Sequence, residues 1–454
     1  MKRRAFIKSA GALGLASGLA WSPSAPAASA VPARSDDRWD VLVAGGGPAG
    51  CAAAIAAARA GAKTLLIEST GCLGGMGTSG LVPAWTPFSD GERVIYQGLA
   101  LTVFNESGKG VPHIPPGRYD WVDINPEYLK TVYDRLAAAH GVSVRLFTRL
   151  AAVEMRADDE LDRVIVASKA GLTALKAKVY VDCTGDGDLA AWAGAAFELN
   201  PGAASRQMPT LCFTIAGVDH DAMPDLYGGR AASPVHKILA SGKYPLIIDT
   251  HLCANKVGHG VVQFNAGHLR DVDPLDEGSL SAAMARGRAQ AAQFLAAFKE
   301  YAPAAFARAL LVNTGGLLGV RESRRVTGDY TFTTADWLAR REFDDGIGRN
   351  NYYIDVHVPA MNDHSYPHYG KGESHGIPYR ILTPRGKRNL LVAGRCVSAD
   401  THAAGSLRVQ PVCLVTGEAA GLAAALACRQ PAPDVHAVDL PRLRQCLRAA
   451  GQLL

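Results

Sequence analysis

The sequence predicts an α/β protein in which a discontinuous parallel-sheet domain is interrupted by an inserted α+β domain. Two observations predict this class. A strand, a glycine-rich turn, a helix and a second strand follow one another near the amino end, and a buried strand followed by a small-residue helix lies near the carboxyl end. The 454 residues, 48% of them hydrophobic, are enough for two or three domains.

The first element is the unit from Trp39 to Glu68. An apolar run, Val41 to Ala44, predicts a buried strand that enters a glycine-rich turn and an alanine-rich helix. Lys63 to Ile67 then predicts a second strand, which ends at Glu68. A pyrophosphate binds such a unit at the helix N-terminus, where backbone N–H groups and the dipole favour negative charge. We therefore predict a Rossmann-like dinucleotide-binding domain in which Glu68 binds ribose hydroxyls.

The residues of the turn have separate tasks. Gly45 permits the tight turn out of the strand, and Gly47 has no side chain to keep a pyrophosphate from the backbone. Pro48 and Ala49 begin the helix, and Gly50 lets that helix lie close to the sheet. All five are predicted cofactor contacts.

A second glycine-rich loop, Cys72 to Gly80, follows the second strand. A loop of this kind suits a cofactor that extends beyond its pyrophosphate, as FAD does through its ribityl chain and ring. Gly74, Gly75, Met76 and Thr78 are therefore predicted FAD contacts.

These motifs resemble the FAD-dependent oxidoreductases of the glutathione-reductase-type two-dinucleotide fold, and more narrowly a bacterial group with an LGGMxTSG loop. The resemblance continues through Val181–Ala190, Leu318–Arg325, Asn389–Ser398, Ser406–Pro411 and Thr416–Gly421. It implies an FAD-dependent enzyme with non-covalent FAD, held in a discontinuous Rossmann-like domain. The further FAD contacts it implies are Thr184, Gly185, Asp186, Gly394, Arg395, Val409, Gln410 and Val412.

The C-terminal helix has a specific expected task. Val409, Gln410 and Val412 would stand at its N-terminus, where backbone N–H groups and the dipole can face the flavin C2 carbonyl and N1. Negative charge accumulates there in the reduced ring, so the helix would stabilise the product of hydride transfer.

The run Gly185 to Ala190 imitates a second dinucleotide fingerprint, but no second strand ending in an acid follows it. The resemblance implies that this turn closes over the same FAD. We therefore expect no separate nicotinamide domain, and we expect electrons to leave to oxygen, a quinone or a redox protein.

The predicted organisation follows from these motifs. The expected parts are a twin-arginine signal peptide (1–30), the first part of the FAD-binding domain with a cap segment and β-meander (38–197), a substrate or cap domain (198–318), the C-terminal part of the FAD-binding domain (319–430) and a C-terminal helix or tail (431–454).

The first 30 residues have the features of an export signal. Lys2, Arg3 and Arg4 precede a mildly apolar stretch too short for a membrane span, and Ala30 ends a small-residue cleavage site. Twin-arginine export carries folded proteins, which fits a protein that acquires flavin before export. The expected mature protein of 454 − 30 = 424 residues is periplasmic or secreted.

The net charge indicates which kinds of partner to expect, and the cysteine content bears on disulfides. The signal holds four basic residues and no acid, so its removal reduces the net charge from +5 to +5 − 4 = +1. We expect neither nucleic-acid binding nor a stable membrane span. The nine cysteines contain no CxxC pair, and their disulfide status stays open.

Three residues are candidates for catalysis. His402 and His357 could accept a hydroxyl proton while hydride leaves the same carbon, because the ordinary histidine pKa of about 6.5 suits that task. Arg408 could bind a carboxylate or support the flavin. Structural roles are the alternative for each. The charged run Arg321 to Arg325 is interpreted mainly as a domain brace.

The segment from Asp355 to His375 is rich in histidine and acid, including Asp363, His364, His368 and Glu373. Its spacings match no recognised zinc pattern. We interpret it as a polar loop at the substrate entrance and predict no metal site.

The predicted function is that of an exported FAD-dependent dehydrogenase or oxidase that takes hydride from a small organic substrate. Three alternatives stay open: a flavin-dependent reductase of an unsaturated acid, a carbohydrate-active enzyme in which FAD is structural or transiently oxidised, and a non-catalytic binding protein. The substrate, the direction of the reaction, the electron acceptor and the oligomeric state are not predicted.

Overall fold

The computed structural model describes residues 34–202, 205–358 and 366–454. The predicted signal peptide, and Asp363 and His364 of the polar segment, lie outside the described residues. The strands are β1 (Arg34–Ala44), β2 (Thr64–Ile67), β3 (Ala84–Trp85), β4 (Val122–Asp123), β5 (Ser143–Arg145), β6 (Arg149–Ala157), β7 (Glu160–Ser168), β8 (Gly171–Asp182), β9 (Phe197–Glu198), β10 (Phe213–Ala216), β11 (Leu252–Gly258), β12 (Val261–Ala266), β13 (Leu310–Thr314), β14 (Arg325–Val326), β15 (Gly346–Asn350), β16 (His375–Pro378) and β17 (Leu390–Val392).

The helices are α1 (Pro48–Arg59), α2 (Leu99–Gly108), α3 (Pro126–Ala139), α4 (Asp188–Trp192), α5 (Val235–Ser241), α6 (Glu277–Tyr301), α7 (Pro303–Phe306), α8 (Thr334–Leu338), α9 (Ala403–Leu407), α10 (Gln410–Ala427) and α11 (Leu440–Ala449). Single 3₁₀ turns lie at Gly75–Gly77, Tyr379–Ile381 and Val435–Ala437.

The larger sheet has a parallel core. β5, β2, β1 and β8 are neighbours in that order, and β17 pairs parallel with the carboxyl half of β8. β6, β7 and the amino half of β8 form the predicted meander. Strand β1 occupies the centre because its last residues are apolar and fully covered on both faces. The predicted α/β class with a parallel Rossmann-like sheet is confirmed.

Helices α1 and α10 lie against each other under this sheet, and glycines make the close approach possible. A side chain at Gly417 would place its Cβ 2.1 Å from the Ala49 carbonyl oxygen, and one at Gly421 would place it 2.0 Å from that of Ala53. Because both helices begin at the same edge of the sheet, this contact fixes the distance between their N-termini.

The second sheet is antiparallel, with the order β11, β12, β10, β13. Its apolar face packs on α6 through aromatic residues such as Phe213, Phe264 and Phe294. All four strands and α6 fall within the predicted insertion, 198–318, although the exact domain boundaries stay predictions.

Among the described residues, α10 is the one helix with the length and apolar composition of a membrane span, and it is 94% buried within the protein. A core helix of this kind has its apolar surface covered by protein, as the parallel sheet and α1 cover α10 here.

Candidate active site

A cleft of about 1820 Å³ runs between the parallel sheet and the inserted antiparallel sheet. Its walls include residues at the carboxyl ends of the parallel strands β1, β2 and β8, where ligands bind in open α/β folds. Sixteen of the predicted site residues line it: Gly45, Gly47, Pro48, Ala49, Glu68, Gly75, Met76, Thr184, Gly185, Asp186, Gly394, Arg395, Val409, Gln410, His357 and Arg408.

The turn after β1 has the geometry that the sequence predicts. Gly45 has φ +97°, and a Cβ there would lie 2.3 Å from the Cys183 carbonyl oxygen. A Cβ at Gly50 would lie 1.7 Å from the Gly45 oxygen. Around Gly47, by contrast, no described atom lies within 4 Å of the Cβ position, and this residue begins α1 without a side-chain cap. The open space and uncapped N-terminus fit a pyrophosphate.

Glu68 braces this turn. Its carboxylate accepts hydrogen bonds from the backbone N–H of Gly46 at 2.7 Å and from that of Thr70 at 2.7 Å. One acid therefore holds both the first glycine turn and the start of the second glycine-rich loop. Oε1 also accepts a hydrogen bond from the Ser69 hydroxyl at 3.2 Å, whereas Oε2 accepts that of Gly46 and can accept one more, which leaves room for a ribose hydroxyl.

The opposite wall of the cofactor region is the N-terminus of α10. Val409 caps this helix without a side-chain hydrogen bond. The side-chain amide of Gln410 is buried, and neither its nitrogen nor its oxygen has a hydrogen-bond partner among the described residues. Because a buried amide without partners is costly, this group fits a polar ligand such as the flavin ring edge.

The turn after β8 is held by buried polar groups. Asp182 accepts hydrogen bonds from Thr184 and from the backbone of Ala190, and burial raises the pKa of the Asp182 carboxyl to about 6. Arg395 binds Asp186 at 2.7 Å and the Ser323 hydroxyl at 2.7 Å. These contacts hold the turn at Gly185 at the edge of the cleft, and its closure over FAD, which the resemblance implies, stays a prediction.

The far wall of the cleft contains three clustered histidines, His251, His268 and His357. His251 directly precedes β11 and His268 follows β12, so the β11–β12 hairpin holds both at one end. His357 lies on the segment after β15. The rings of His251 and His268 stack at 4.2 Å, and His268 Nε2 lies 3.0 Å from His357 Nδ1.

Carboxylates orient two of these imidazoles. Asp249 lies 2.8 Å from His268 Nδ1, and Asp355 lies 2.8 Å from His357 Nε2. Burial lowers the histidine pKa values, that of His357 to about 4 although Asp355 opposes the shift, so both imidazoles are neutral at neutral pH. Burial disfavours ionisation of Asp355, but His357 and Arg408 hold the pKa of its carboxyl below the usual value.

Two arginines complete this wall. Arg408 binds the Asp355 carboxylate at 3.0 Å, so it positions the acid behind His357. Arg321 lies 3.1 Å from His251 Nε2 and donates to the Met208 carbonyl oxygen. Glu322 and Arg325, of the same charged run, form a buried ion pair at 2.7 Å and do not line the cleft.

Five predicted site residues do not line the cleft. Gly50, Gly74, Thr78 and Val412 support the backbone: for example, the Thr78 hydroxyl donates to the Leu73 carbonyl oxygen at 2.7 Å within its own loop. His402 directly precedes α9, and its Nδ1 contacts the Tyr366 hydroxyl. The structure thus does not bring His402 together with His357 and Arg408.

Sequence reasoning missed Asp249, His251 and His268. They lie in the inserted domain, about 90 to 110 residues before His357, and no local spacing connects them to it. The available signal was weak: each histidine flanks one strand of the short β11–β12 hairpin.

Comparison with solved structures finds only distant similarities. Similar solved structures include p-nitrophenol 4-monooxygenase from Pseudomonas putida (14% identity, 92% of this chain and 89% of that chain covered, TM-score 0.45). Another is a geranylgeranyl bacteriochlorophyll reductase-like protein from Thermoplasma acidophilum (14%, 92% and 82%, TM-score 0.40). A third is a flavin-dependent brominase (12%, 90% and 83%, TM-score 0.46). These similarities are too low to bear on substrate or mechanism.

A search of curated proteins gives no significant match. The family of FAD-dependent oxidoreductases, however, matches residues 40–447, which is most of the chain. That range includes the glycine turn, the β8 turn and the N-terminus of α10. The chain therefore belongs to the FAD-dependent oxidoreductase family, and its cofactor is FAD.

Proposed function

We propose that this protein is an exported flavoenzyme of the glutathione-reductase-type group that takes hydride from a small, hydroxyl-bearing organic substrate. Electrons then leave to oxygen, a quinone or a redox protein. The twin-arginine pattern at residues 2–8 supports export to the periplasm.

One observation carries the proposal. A single cleft contains both the residues that fit FAD and a carboxylate-oriented imidazole cluster. Hydride removal from a carbinol carbon needs a hydride acceptor and a group that handles the hydroxyl proton. Bound FAD would accept the hydride and the imidazoles would handle the proton, because the residues that fit FAD and the imidazoles line the same cleft.

The chain's own residues would hold the cofactor at two helix ends. The N-terminus of α1 at Gly47 would bind the pyrophosphate, and Glu68 the ribose. Val409 and Gln410 at the start of α10 would face the ring. Bound FAD supplies two-electron oxidation by accepting hydride.

The imidazole cluster would handle the substrate oxygen. Both nitrogens of His357 have neighbours, Asp355 at one side and His268 at the other. A substrate hydroxyl would therefore lose its proton to the imidazole pair at the contact between His268 and His357. Asp249 and Asp355 would hold the two rings in place. Arg408 keeps Asp355 ionised and in place.

The experiment is an anaerobic screen of hydroxy acids, polyols and sugars that follows bleaching of the flavin absorbance, with product analysis. We expect at least one class to reduce the flavin and to lose two hydrogens. Flavin that only artificial donors reduce, and that an unsaturated acid reoxidises, would favour the reductase alternative. Turnover without net redox change would favour a carbohydrate-active enzyme.

Export has its own test. Replacing Arg3→Lys together with Arg4→Lys should retain the protein in the cytoplasm, because the twin-arginine machinery reads that pair. Cell fractionation of the unchanged chain should recover it outside the cytoplasm. An unchanged distribution in the double variant would contradict this route.

A further inference from the structure

Trp121 has a backbone conformation that a residue of its size rarely adopts. Its φ is +48°, in the left-handed region that disfavours any residue with a Cβ. The Arg118 guanidinium holds this turn by donating hydrogen bonds to the carbonyl oxygens of Asp120 and Trp121. The indole is not a core side chain, because it is 42% exposed and lines the cleft. A strained backbone that presents an exposed aromatic ring to a cleft indicates a binding role.

The indole lies close to the imidazole cluster. Its ring packs edge-on against the ring of Tyr352, with 6.4 Å between the two centroids. The Tyr352 hydroxyl donates to the Asp355 carboxylate at 3.2 Å, and that carboxylate holds His357. Because Trp121 and His357 line the same cleft and are two side chains apart, a ligand that packs on the indole can also reach the imidazole.

A second contact ties the indole to the inserted sheet. Trp121 directly precedes β4, and Asp123 at the end of that strand accepts a hydrogen bond from the side-chain amide of Asn255 at 2.7 Å. Asn255 belongs to β11, the strand that directly follows His251. The turn that carries the indole is therefore attached both to the segment of His357 and to the hairpin that carries the other two imidazoles.

A hydroxyl without a partner lies across from the indole. β3 and β4 are antiparallel, and Trp85 pairs with Val122, so the next two residues that face each other are Thr86 and Trp121. Thr86 lines the cleft, and its buried hydroxyl has no hydrogen-bond partner among the described residues. Because such a hydroxyl is costly, its position beside the indole fits a ligand that carries a polar oxygen.

An aromatic face with hydrogen-bonding groups around it fits one class of substrate. One side of a pyranose ring presents C–H groups that pack on the electron-rich face of an indole, while the hydroxyls point outward from the ring. The amides of Asn255 and Asn265 line the same cleft as the Thr86 hydroxyl. An aryl alcohol has a flat face but a single hydroxyl, which the imidazole pair would take, so Thr86 would stay without a partner.

We propose that the substrate is a pyranose sugar or its glycoside, packed on Trp121 with one ring hydroxyl at the imidazole cluster and another at Thr86. Loss of hydride to FAD and of the hydroxyl proton to the imidazoles would convert one carbinol of the ring to a carbonyl. This oxidation rests on the proposed function, whereas binding of the sugar ring does not.

Binding of glycosides to the FAD-loaded protein tests the proposal. The methyl pyranosides of glucose, galactose, mannose, xylose and glucuronic acid are titrated by calorimetry. Sorbitol serves as the acyclic polyol and benzyl alcohol as the flat aromatic alcohol. We expect at least one pyranoside to bind about tenfold or more tightly than both comparison ligands, because it alone combines an apolar ring face with several hydroxyls.

Three variants locate the sugar ring. Trp121→Ala should lower the affinity for that pyranoside about tenfold or more, and Trp121→Phe, which restores a flat aromatic face, should recover most of it. Thr86→Val keeps the shape of the side chain without the hydroxyl and should lower the affinity about threefold. The control is Phe147→Ala, since Phe147 is also exposed at a positive φ of +51° but does not line the cleft. FAD occupancy and the melting temperature verify that each variant folds.

The outcomes separate this proposal from the proposed function. The sugar site would be overturned if no pyranoside binds, if benzyl alcohol or sorbitol binds more tightly than every pyranoside, or if Trp121→Ala and Thr86→Val both bind as wild type does. A pyranoside that binds through Trp121 without reducing the flavin refutes the proposed hydride transfer and supports the sugar site. A hydroxy acid that reduces the flavin, with no pyranoside bound, does the reverse.

Discussion

The carboxylate of Glu68 accepts a hydrogen bond from the backbone N–H of Gly46 at 2.7 Å. The acid at the end of β2 therefore holds the turn at the end of β1 in addition to its expected contact with the ribose. The second bond, from the Thr70 N–H, links the same acid to the following loop.

Glu68→Ala should weaken FAD binding by more than the loss of one ribose contact. The variant leaves the Gly46 and Thr70 N–H groups without their acceptor, and an unpaired buried donor costs about 1–3 kcal/mol. We expect the FAD dissociation constant to increase at least about tenfold, measured by fluorescence titration of the apoprotein. An unchanged constant would show that Glu68 is not part of the cofactor site.

Gly417→Ala should destabilise the protein, because its Cβ would lie 2.1 Å from the Ala49 carbonyl oxygen. Overpacking of this kind costs about 1–3 kcal/mol, which exceeds the helix-propensity gain of about 1 kcal/mol. Gly108→Ala, at the last residue of α2, is the matched control and should be neutral or stabilising, since its Cβ would meet nothing within 4 Å. Thermal unfolding of both variants measures the difference. Equal melting temperatures would contradict the close contact of α1 and α10.

His357→Gln should slow reduction of the flavin by substrate about 100-fold or more, with FAD retained, because proton handling contributes on that scale. His402→Gln should leave the rate unchanged, since His402 does not line the cleft. Stopped-flow absorbance under anaerobic conditions measures both. If His402→Gln were instead the variant with slow flavin reduction, the imidazole cluster would not be the group that handles the substrate proton.

The pH dependence of stability should include a contribution from His375. This buried ring stacks on Phe332; Nδ1 donates to the Gly376 carbonyl oxygen, and Nε2 accepts from Asn350, so the neutral form is satisfied. Burial lowers its pKa from 6.5 to about 4. The unfolded chain therefore binds more protons between these values, and stability decreases as the pH falls from about 6.5 towards 4.

For His375 this loss is about 2 kcal/mol at pH 5. Comparing unfolding of wild type and His375→Gln at pH 7.5 and pH 5 isolates it from other buried groups such as Asp182. The variant should lose less stability on acidification than wild type. An equal loss of stability in the two proteins would mean that the folded and unfolded pKa values of His375 are similar.

The cofactor half of the site could be predicted because its signals are local. The turn from Gly45 to Gly50 and the acid at Glu68 belong to one continuous unit, and helix α10 begins at Gln410, one of the residues predicted to stand at its N-terminus. Backbone geometry at such turns depends on the residues themselves, so the sequence contains it.

The cluster of His251, His268 and His357 could not be predicted in the same way. His251 and His268 come together through the β11–β12 hairpin, and they meet His357 only when the inserted sheet packs over the parallel sheet. Nothing in the periodicity of either segment specifies that packing. His402 shows the converse, because its nearness to α10 in sequence does not place it in the cleft.

FAD should lie with its pyrophosphate at the N-terminus of α1, and measuring the FAD occupancy of Gly47→Val shows whether it does. The extended backbone at Gly47 (φ −69°, ψ −176°) accepts valine, and its Cβ meets no described atom within 4 Å, so the fold should survive. Gly108→Val, which also has open space, is the control. We predict yellow wild-type and control proteins with about one FAD per chain, and a folded but colourless Gly47→Val. Full FAD occupancy in Gly47→Val would mean that the pyrophosphate does not lie against Gly47.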